Sequence, residues 1–196
     1  MINDLTVHVV IPARGGSTRL SRKNIYPIWG QPMLYWAIQA CSKSLYIDRV
    51  FVSTEDEEIA TIAKKLEVEV VDRPTDLADH FTYKQEVITH TLSVMPEKPD
   101  IVVSLQPNSP QICAHDLDAA IDKLVEHDRN ELFTVGENFL QNAAFRVMKY
   151  DYAFQKTIST KSGVYVTNYI DVHTVDDVEY LESQGRPCSH YKEVTT

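Results

Sequence analysis

Val7-His8-Val9-Val10-Ile11-Pro12-Ala13-Arg14-Gly15-Gly16-Ser17-Thr18-Arg19-Leu20-Ser21-Arg22-Lys23-Asn24 decides how the rest of the chain is read. Its apolar start, Val7 to Ile11, reads as a buried strand. A loop follows, holding Gly15 and Gly16, the hydroxyls of Ser17, Thr18 and Ser21, and the cations Arg14, Arg19, Arg22 and Lys23. Backbone N–H groups made approachable by glycine can form an anion-binding concavity. Arginine and lysine beside them neutralise phosphate oxygens. The loop matches neither Gly-x-Gly-x-x-Gly nor Gly-x-x-x-x-Gly-Lys-Ser/Thr. Spacing alone therefore leaves a basic surface turn as the alternative.

The rest of the composition sharpens that choice. The chain carries 28 acidic against 19 basic side chains, a formal net charge of −9. Such a balance, with a pI near 5.2, argues against a general nucleic-acid binder. Cations gathered on one loop of an acidic chain point instead to a small polyanion. With 196 residues, one domain spanning 1–184 is expected, followed by a polar, mobile tail at 185–196. Cys41, Cys113 and Cys188 are widely spaced and suggest neither a disulfide framework nor a metal cluster. A reducing cytoplasm is the expected location. No apolar run reaches membrane-spanning length, and the first residues lack a signal-peptide pattern. No membrane partner is expected.

Outward from the loop, strand and helix patterns alternate. Pro32 precedes a helical stripe of Met33, Leu34, Ala37, Ile38, Cys41 and Leu45. Arg49 to Ser53 reads as a strand. Thr54-x-x-Glu57 reads as a capping box opening a helix to about Leu66, with Glu55, Asp56, Glu57 and Glu58 as a solvated first turn. Val68 to Val71 is a short strand, and Tyr83 to Met95 a helix. Ile101 to Leu105 has the near-continuous apolar character of a central parallel strand. Ala114 to His127 reads as a helix, Leu132 to Val135 and Ser162 to Thr167 as strands, and Val175 to Ser183 as a last helix stopped by Gly185 and Pro187. Glu137 to Lys161 gives no clear period. The expected fold is α/β and Rossmann-like, a mostly parallel sheet with helices on both faces. Ligands of such sheets bind beyond the carboxyl ends of the strands. The informative loops, 13–24, 72–83, 106–112 and 171–174, all fall there.

Taken in order, these loops resemble the cytidylyltransferases that activate nine-carbon acidic sugars, the CMP-N-acylneuraminate synthetase family and its relatives for legionaminic and pseudaminic acids. The resemblance rests on Ile11 to Asn24, Val-Ser-Thr-Glu-Asp-Glu-Glu-Ile-Ala (Val52 to Ala60), Val-Glu-Val-Val-Asp-Arg-Pro (Val68 to Pro74), Leu-Gln-Pro-Asn-Ser-Pro (Leu105 to Pro110) and Ile-Asp-Val-His-Thr (Ile170 to Thr174). It implies the fold of nucleotide-diphospho-sugar transferases. It also implies a reaction in which CTP and a 2-keto sugar acid give CMP-sugar and pyrophosphate, with Mg²⁺ as cofactor. On the matching positions it places Ala13, Arg14, Gly15, Gly16, Ser17, Lys23, Asn24 and Arg73 around the nucleotide, with Arg14 and Lys23 catalytic. Gln106, Asn108 and Ser109 would line the sugar pocket, and Asp171 would ligate the metal. A homodimer is the implied assembly, since the family's insert often swaps between subunits. From the residues alone, Arg73 could be a solvated loop cation. Gln106 and Asn108 could satisfy turn backbone, and Asp171 could cap the last helix.

The chain also departs from the family's pattern. Thr18 stands where a phosphate-neutralising lysine is usual. Ile112 replaces an arginine. His173 replaces the second carboxylate of an Ile-Asp-Ile-Asp pair, on the same side of the chain as Asp171. The segment 136–161, which in the family completes the sugar site, is short. These departures motivate an alternative, a non-catalytic nucleotide-binding subunit or regulator. Synthetases for eight-carbon 3-deoxy-manno-octulosonate carry Gly-Asp-Glu-Pro where this chain has Gln106 to Pro110, which disfavours that activity here.

Overall fold

A computed structural model describes residues 2, 4–79, 81–157 and 159–186. The strands are β1 (Val7–Pro12), β2 (Pro27–Ile28), β3 (Gln31–Pro32), β4 (Arg49–Thr54), β5 (Glu69–Asp72), β6 (Ile101–Leu105), β7 (Glu131–Val135), β8 (Gln141–Lys149) and β9 (Ser162–Val166). The helices are α1 (Met33–Ser42), α2 (Glu57–Lys65), α3 (Lys84–Val94), α4 (Ala114–Glu126) and α5 (Val175–Gln184). Seven strands form one sheet in the order β5-β4-β1-β6-β8-β7-β9, and β2 and β3 pair as a small hairpin. Within the large sheet β8 alone runs against its neighbours; β1, β4, β5 and β6 pair in parallel, as do β7 and β9.

Both faces are covered, as the apolar runs require. Val7, Val9 and Ile11 of β1 pack with α1, α2 and α4 through Leu34, Ile59 and Leu117. The alternate residue Val10 turns to the other face, against Ile88 and Leu92 of α3 and Met148 of β8. A smaller cluster joins Leu20, Ile28, Met33 and Trp36 to Val172, Val178 and Leu181, so α5 closes over the start of α1. Thr174 caps α5 in a reciprocal capping box with Asp177, and Gly185 ends it at φ 72°.

Several sequence expectations need correction. Asp56, not Thr54, caps α2, accepting from the N–H groups of Glu58 and Ile59. Leu45 leaves the α1 stripe because that helix stops at Ser42, and it is 77% exposed. The unread segment after Glu137 contains β8, which bridges β6 and β7. Cys41 is a buried free thiol, whereas Cys113 is disulfide-bonded, against the expectation of independent thiols. The expected tail beyond Arg186 lies outside the described residues.

Candidate active site

β1, β4, β5 and β6 all deliver their carboxyl ends to one edge of the sheet. The loop after β1 is not free-standing there. Gly15 donates its N–H to Glu55 Oε1 at 2.7 Å. Arg22 forms a two-pronged ion pair with Asp56, and its Nη2 also reaches Glu58 Oε2 at 2.6 Å. Asn24 is buried and donates from Nδ2 to the carbonyl of Arg14 at 2.9 Å, pinning one end of the loop to the other. The acidic start of α2, expected to be a solvated turn, therefore holds the loop in place.

The two glycines have different reasons to be glycine. A Cβ on Gly15 would lie 2.3 Å from Asp56 Oδ2, whereas a Cβ on Gly16 meets nothing within 4 Å. Arg22, counted from sequence among the phosphate-binding cations, is committed to Asp56 and Glu58. Arg14, Arg19 and Lys23 make no side-chain ion pair or hydrogen bond among the described residues.

Arg14, Lys23, Asn24, Arg73, Gln106 and Asn108 come together around a cleft of about 210 Å³. Leu77, Asp79 and Thr82 form its opposite wall, where Asp79 Oδ1 accepts from the N–H of Thr82 at 2.7 Å. Arg73 is not a solvated cation. It is 4% exposed, donates from Nη2 to the Ser53 carbonyl at 2.5 Å, and lies 3.8 Å from Glu55 Oε2. It thus ties the ends of β4 and β5 together at the floor of the cleft. Ala13 is buried and donates its N–H to Ser53 at 2.9 Å. Gly16 and Ser17 lie on the loop outside this lining.

Ser109 is fully buried and donates its hydroxyl to Asp171 Oδ1. Asn108 braces the same segment: its carbonyl accepts the Val172 N–H at 2.8 Å. Burial holds the Asp171 carboxyl above its ordinary range, opposed by the Ser109 hydroxyl and the charges of His173, Lys84 and Lys23. His173 Nδ1 is buried without a hydrogen-bond partner. Burial, then Lys23 and Arg19, lower its pKa. Lys23 is lowered by burial first and by Arg19 next, with Asp171 pulling the other way. Ile112, where the resemblance would place an arginine, is 4% exposed and belongs to the apolar core.

Sequence reasoning missed Lys84. It begins α3, lines the cleft beside Lys23 and Arg73, and makes no side-chain ion pair or hydrogen bond among the described residues. A lysine in a helix's first turn works against the helix dipole; that mismatch is the one local signal that could have marked it.

No group of three His, Cys, Asp or Glu side chains is placed to hold a metal among the described residues. No described helix is long and apolar enough to cross a membrane.

Comparison with known proteins places this geometry in a family. The chain is 35% identical to the 3-deoxy-manno-octulosonate cytidylyltransferase of a Psychrobacter species over 71% of its length and 50% of the relative's. It is 30% identical to the pseudaminic acid cytidylyltransferase of Campylobacter jejuni over 65% of its length and 57% of the relative's. The chain thus spans about half the length of the curated relatives it matches. An enzyme named for an eight-carbon acid thus stands among these relatives beside one named for pseudaminic acid. In fold, the chain superposes on a CMP:2-keto-3-deoxy-manno-octonic acid synthetase solved with CTP, at a TM-score of 0.76 and 15% identity, covering 91% of this chain and 98% of that one. A cytidylyltransferase from Leptospira borgpetersenii gives a TM-score of 0.72 at 21% identity, covering 91% and 86%. The cytidylyltransferase family model matches residues 8–186, and the chain belongs to that family.

Proposed function

We propose that the chain transfers a cytidylyl group from CTP to a hydroxyl of an acidic sugar. The new bond joins the sugar oxygen to the α-phosphorus; the bond from that phosphorus to the β-phosphate oxygen breaks, and pyrophosphate leaves. One observation carries the reading. Arg14 and Lys23, uncommitted to any internal acid, face a cleft at the carboxyl ends of β1, β5 and β6 in a chain of net charge −9. Arg14 and Lys23 hold the triphosphate and offset charge that grows on the leaving oxygens, an electrostatic contribution that needs no proton transfer from the protein. Ser17 and the glycine loop bound the phosphates from outside, while Asn24 holds the loop closed. Arg73, Gln106 and Asn108 present their donors and acceptors to the nucleoside and the sugar.

The expected Mg²⁺ would draw one protein ligand from Asp171, which stands outside the residues lining the cleft. Asp171 offers one carboxylate, with Oδ1 taken by Ser109, and Mg²⁺ is commonly held by one or two carboxylates plus substrate phosphates. His173 is a poor ligand for so hard a cation. When bound, the ion would neutralise charge on the phosphoryl oxygens.

A nine-carbon acid is the proposed acceptor, supported by Gln106 to Pro110 in place of Gly-Asp-Glu-Pro. Pyrophosphate release measured with CTP, Mg²⁺ and a panel of eight- and nine-carbon keto sugar acids tests the reading. Turnover with a nine-carbon acid and CTP is expected. The Lys23→Ala variant should lose roughly 10- to 100-fold in CTP affinity, the loss of one charge-assisted contact. No release with any acid would defeat the proposal. The buried Ile112, and His173 in place of a second carboxylate beside Asp171, favour one second reading, a nucleotide-binding subunit without turnover. Calorimetry showing CTP binding in the absence of release would select it.

A further inference from the structure

Beside the nucleotide cleft lies a second one, of about 210 Å³, between α3 and β8. Gln85, Ser104, Gln141 and Arg146 line it, and Lys84 and Gln106 are the residues it shares with the nucleotide cleft. Its lining is chemically distinct from that of its neighbour. Gln85 and Gln141 bring amides, Ser104 a hydroxyl, and Phe145 and Ile88 an apolar floor. Arg146 is already committed: it pairs with Glu131 and donates from Nη1 to Gln85 Oε1 at 2.8 Å. Gln85 is committed as well, its Nε2 donating to the Ala153 carbonyl. Ala143, on the same wall, sits at φ 56° near the start of β8, where the β7–β8 register shifts. The left-handed alanine belongs to that irregularity, which re-aims the side chains on this wall.

Lys84 is the cation this second cleft leaves uncommitted. Its placement is hard to explain by folding alone. A positive charge at the first position of a helix opposes the dipole, and the side chain has no acid paired to it in a protein rich in acids. Its field reaches Asp171 and Lys23 on the nucleotide side. The transfer reaction must bring two anions together at this junction, the acceptor's carboxylate and the α-phosphate. A cation between them removes the repulsion that would otherwise keep the attacking hydroxyl away.

Building on the proposed transferase activity, we propose that the α3–β8 cleft is the acceptor pocket and that Lys84 is its specificity-determining residue, binding the carboxylate of the sugar acid where the two clefts meet. Gln141 and Ser104 bond the hydroxyls of the acceptor's polyol body. Lys84 thereby also supplies positive charge to the junction that Thr18 cannot, and does so from α3 rather than from the glycine loop.

The test combines steady-state kinetics on the acceptor with calorimetric CTP binding, for the wild type, Lys84→Met, Lys84→Arg and Gln141→Leu. Lys84→Met should raise the acceptor KM about tenfold or more and leave CTP affinity within about threefold, with Lys84→Arg restoring part of the loss. Gln141→Leu should raise the acceptor KM and leave CTP binding unchanged. The wild type's preference for the acid over its carboxamide should shrink in Lys84→Met. The side chain makes no ion pair or hydrogen bond among the described residues, so thermal midpoints should change little. An active wild type whose Lys84→Met variant keeps its acceptor KM overturns the inference and leaves the transferase reading standing. So does a variant that loses CTP affinity as fully as Lys23→Ala with the acceptor KM unmoved, since that assigns Lys84 to the triphosphate. A wild type with no turnover on any acid overturns both.

Discussion

Replacing Gly15 by alanine tests whether the loop after β1 is held by the start of α2. The added Cβ would stand 2.3 Å from Asp56 Oδ2 and 2.9 Å from its Cγ, so the carboxylate must move. Moving it releases the cap on the N–H groups of Glu58 and Ile59 at 3.1 and 3.0 Å, a loss of about 0.5–2 kcal/mol. It also disturbs the ion pair with Arg22, whose side chain is 39% exposed, so at most about 1 kcal/mol is at stake there. The stiffer alanine offsets about 0.4–1 kcal/mol through the unfolded chain. A net loss of about 1–2 kcal/mol follows. In a chain of this size that lowers the thermal midpoint by about 2–8 °C. Urea unfolding, followed by Trp29 and Trp36 fluorescence, gives the free energies directly. Gly16→Ala is the matched control: its Cβ meets nothing, and the change should stay within about 0.5 kcal/mol. The decisive measurement is a double-mutant cycle with Asp56→Ala, which removes the obstructing atoms. Gly15→Ala should cost little in that background, a coupling of about 1 kcal/mol or more. Equal midpoints for the two glycine variants, or an additive cycle, would show that Asp56 is not the constraint.

Other expectations follow from groups already placed. Arg73→Ala leaves the Glu55 carboxylate partly buried without its counter-charge and should cost about 3 kcal/mol; Arg73→Ala with Glu55→Gln should recover part of it in the same urea assay. His8 is 2% exposed, with Nδ1 unpartnered beside the Phe51 ring, and its pKa is lowered by burial and then by Arg49, against the opposing pull of Asp48, Glu97 and Glu69. The unfolded chain then binds the extra proton first, so stability should fall as pH drops below about 6.5. In His8→Leu that slope should shrink to the part left by His173, whose pKa is also lowered; an unchanged slope would put the titration elsewhere. Asp171→Asn should abolish the gain in CTP affinity on adding Mg²⁺. In the wild type that gain should fade as pH falls through a midpoint above the usual carboxylate range, because burial raises this carboxyl.

How much of this the sequence disclosed depends on whether a residue's partner is near or far along the chain. β1 and β6 are apolar on both faces and read as central strands without any knowledge of their neighbours. Thr174 and Asp177 cap α5 from within four residues, and the start and stop of that helix follow from local chemistry. β8 is different. Arg146 and Lys149 interrupt its apolar positions, and its burial comes from pairing with β6 and β7 rather than from a legible alternation. The acids at 55–58 suit the helix dipole and so read from sequence as a solvated first turn. Their real partner at Arg22 is 34 residues from Asp56 and shares no motif with it. A family pattern puts Arg14, Lys23, Asn24 and Arg73 around a nucleotide and Gln106 and Asn108 in a sugar pocket, and all six line one cleft. Lys84 belongs to no such pattern, and only the packing of α3 against β8 shows what it faces.

The reversal of β8 has a consequence for how such a protein can change over time. Because β8 runs against β6 and β7, its amino end, not its carboxyl end, opens onto the ligand-bearing edge. The turn that feeds it, Gly136 to Leu140, can therefore grow or shrink at that edge while the parallel registers of β1, β4, β5 and β6 stay as they are. Insertions there would remodel the wall near Gln141 and leave the supports of Arg14, Lys23 and Arg73 untouched. A fold with this seam can be retuned toward a new acceptor one loop at a time while its nucleotide half stays constant.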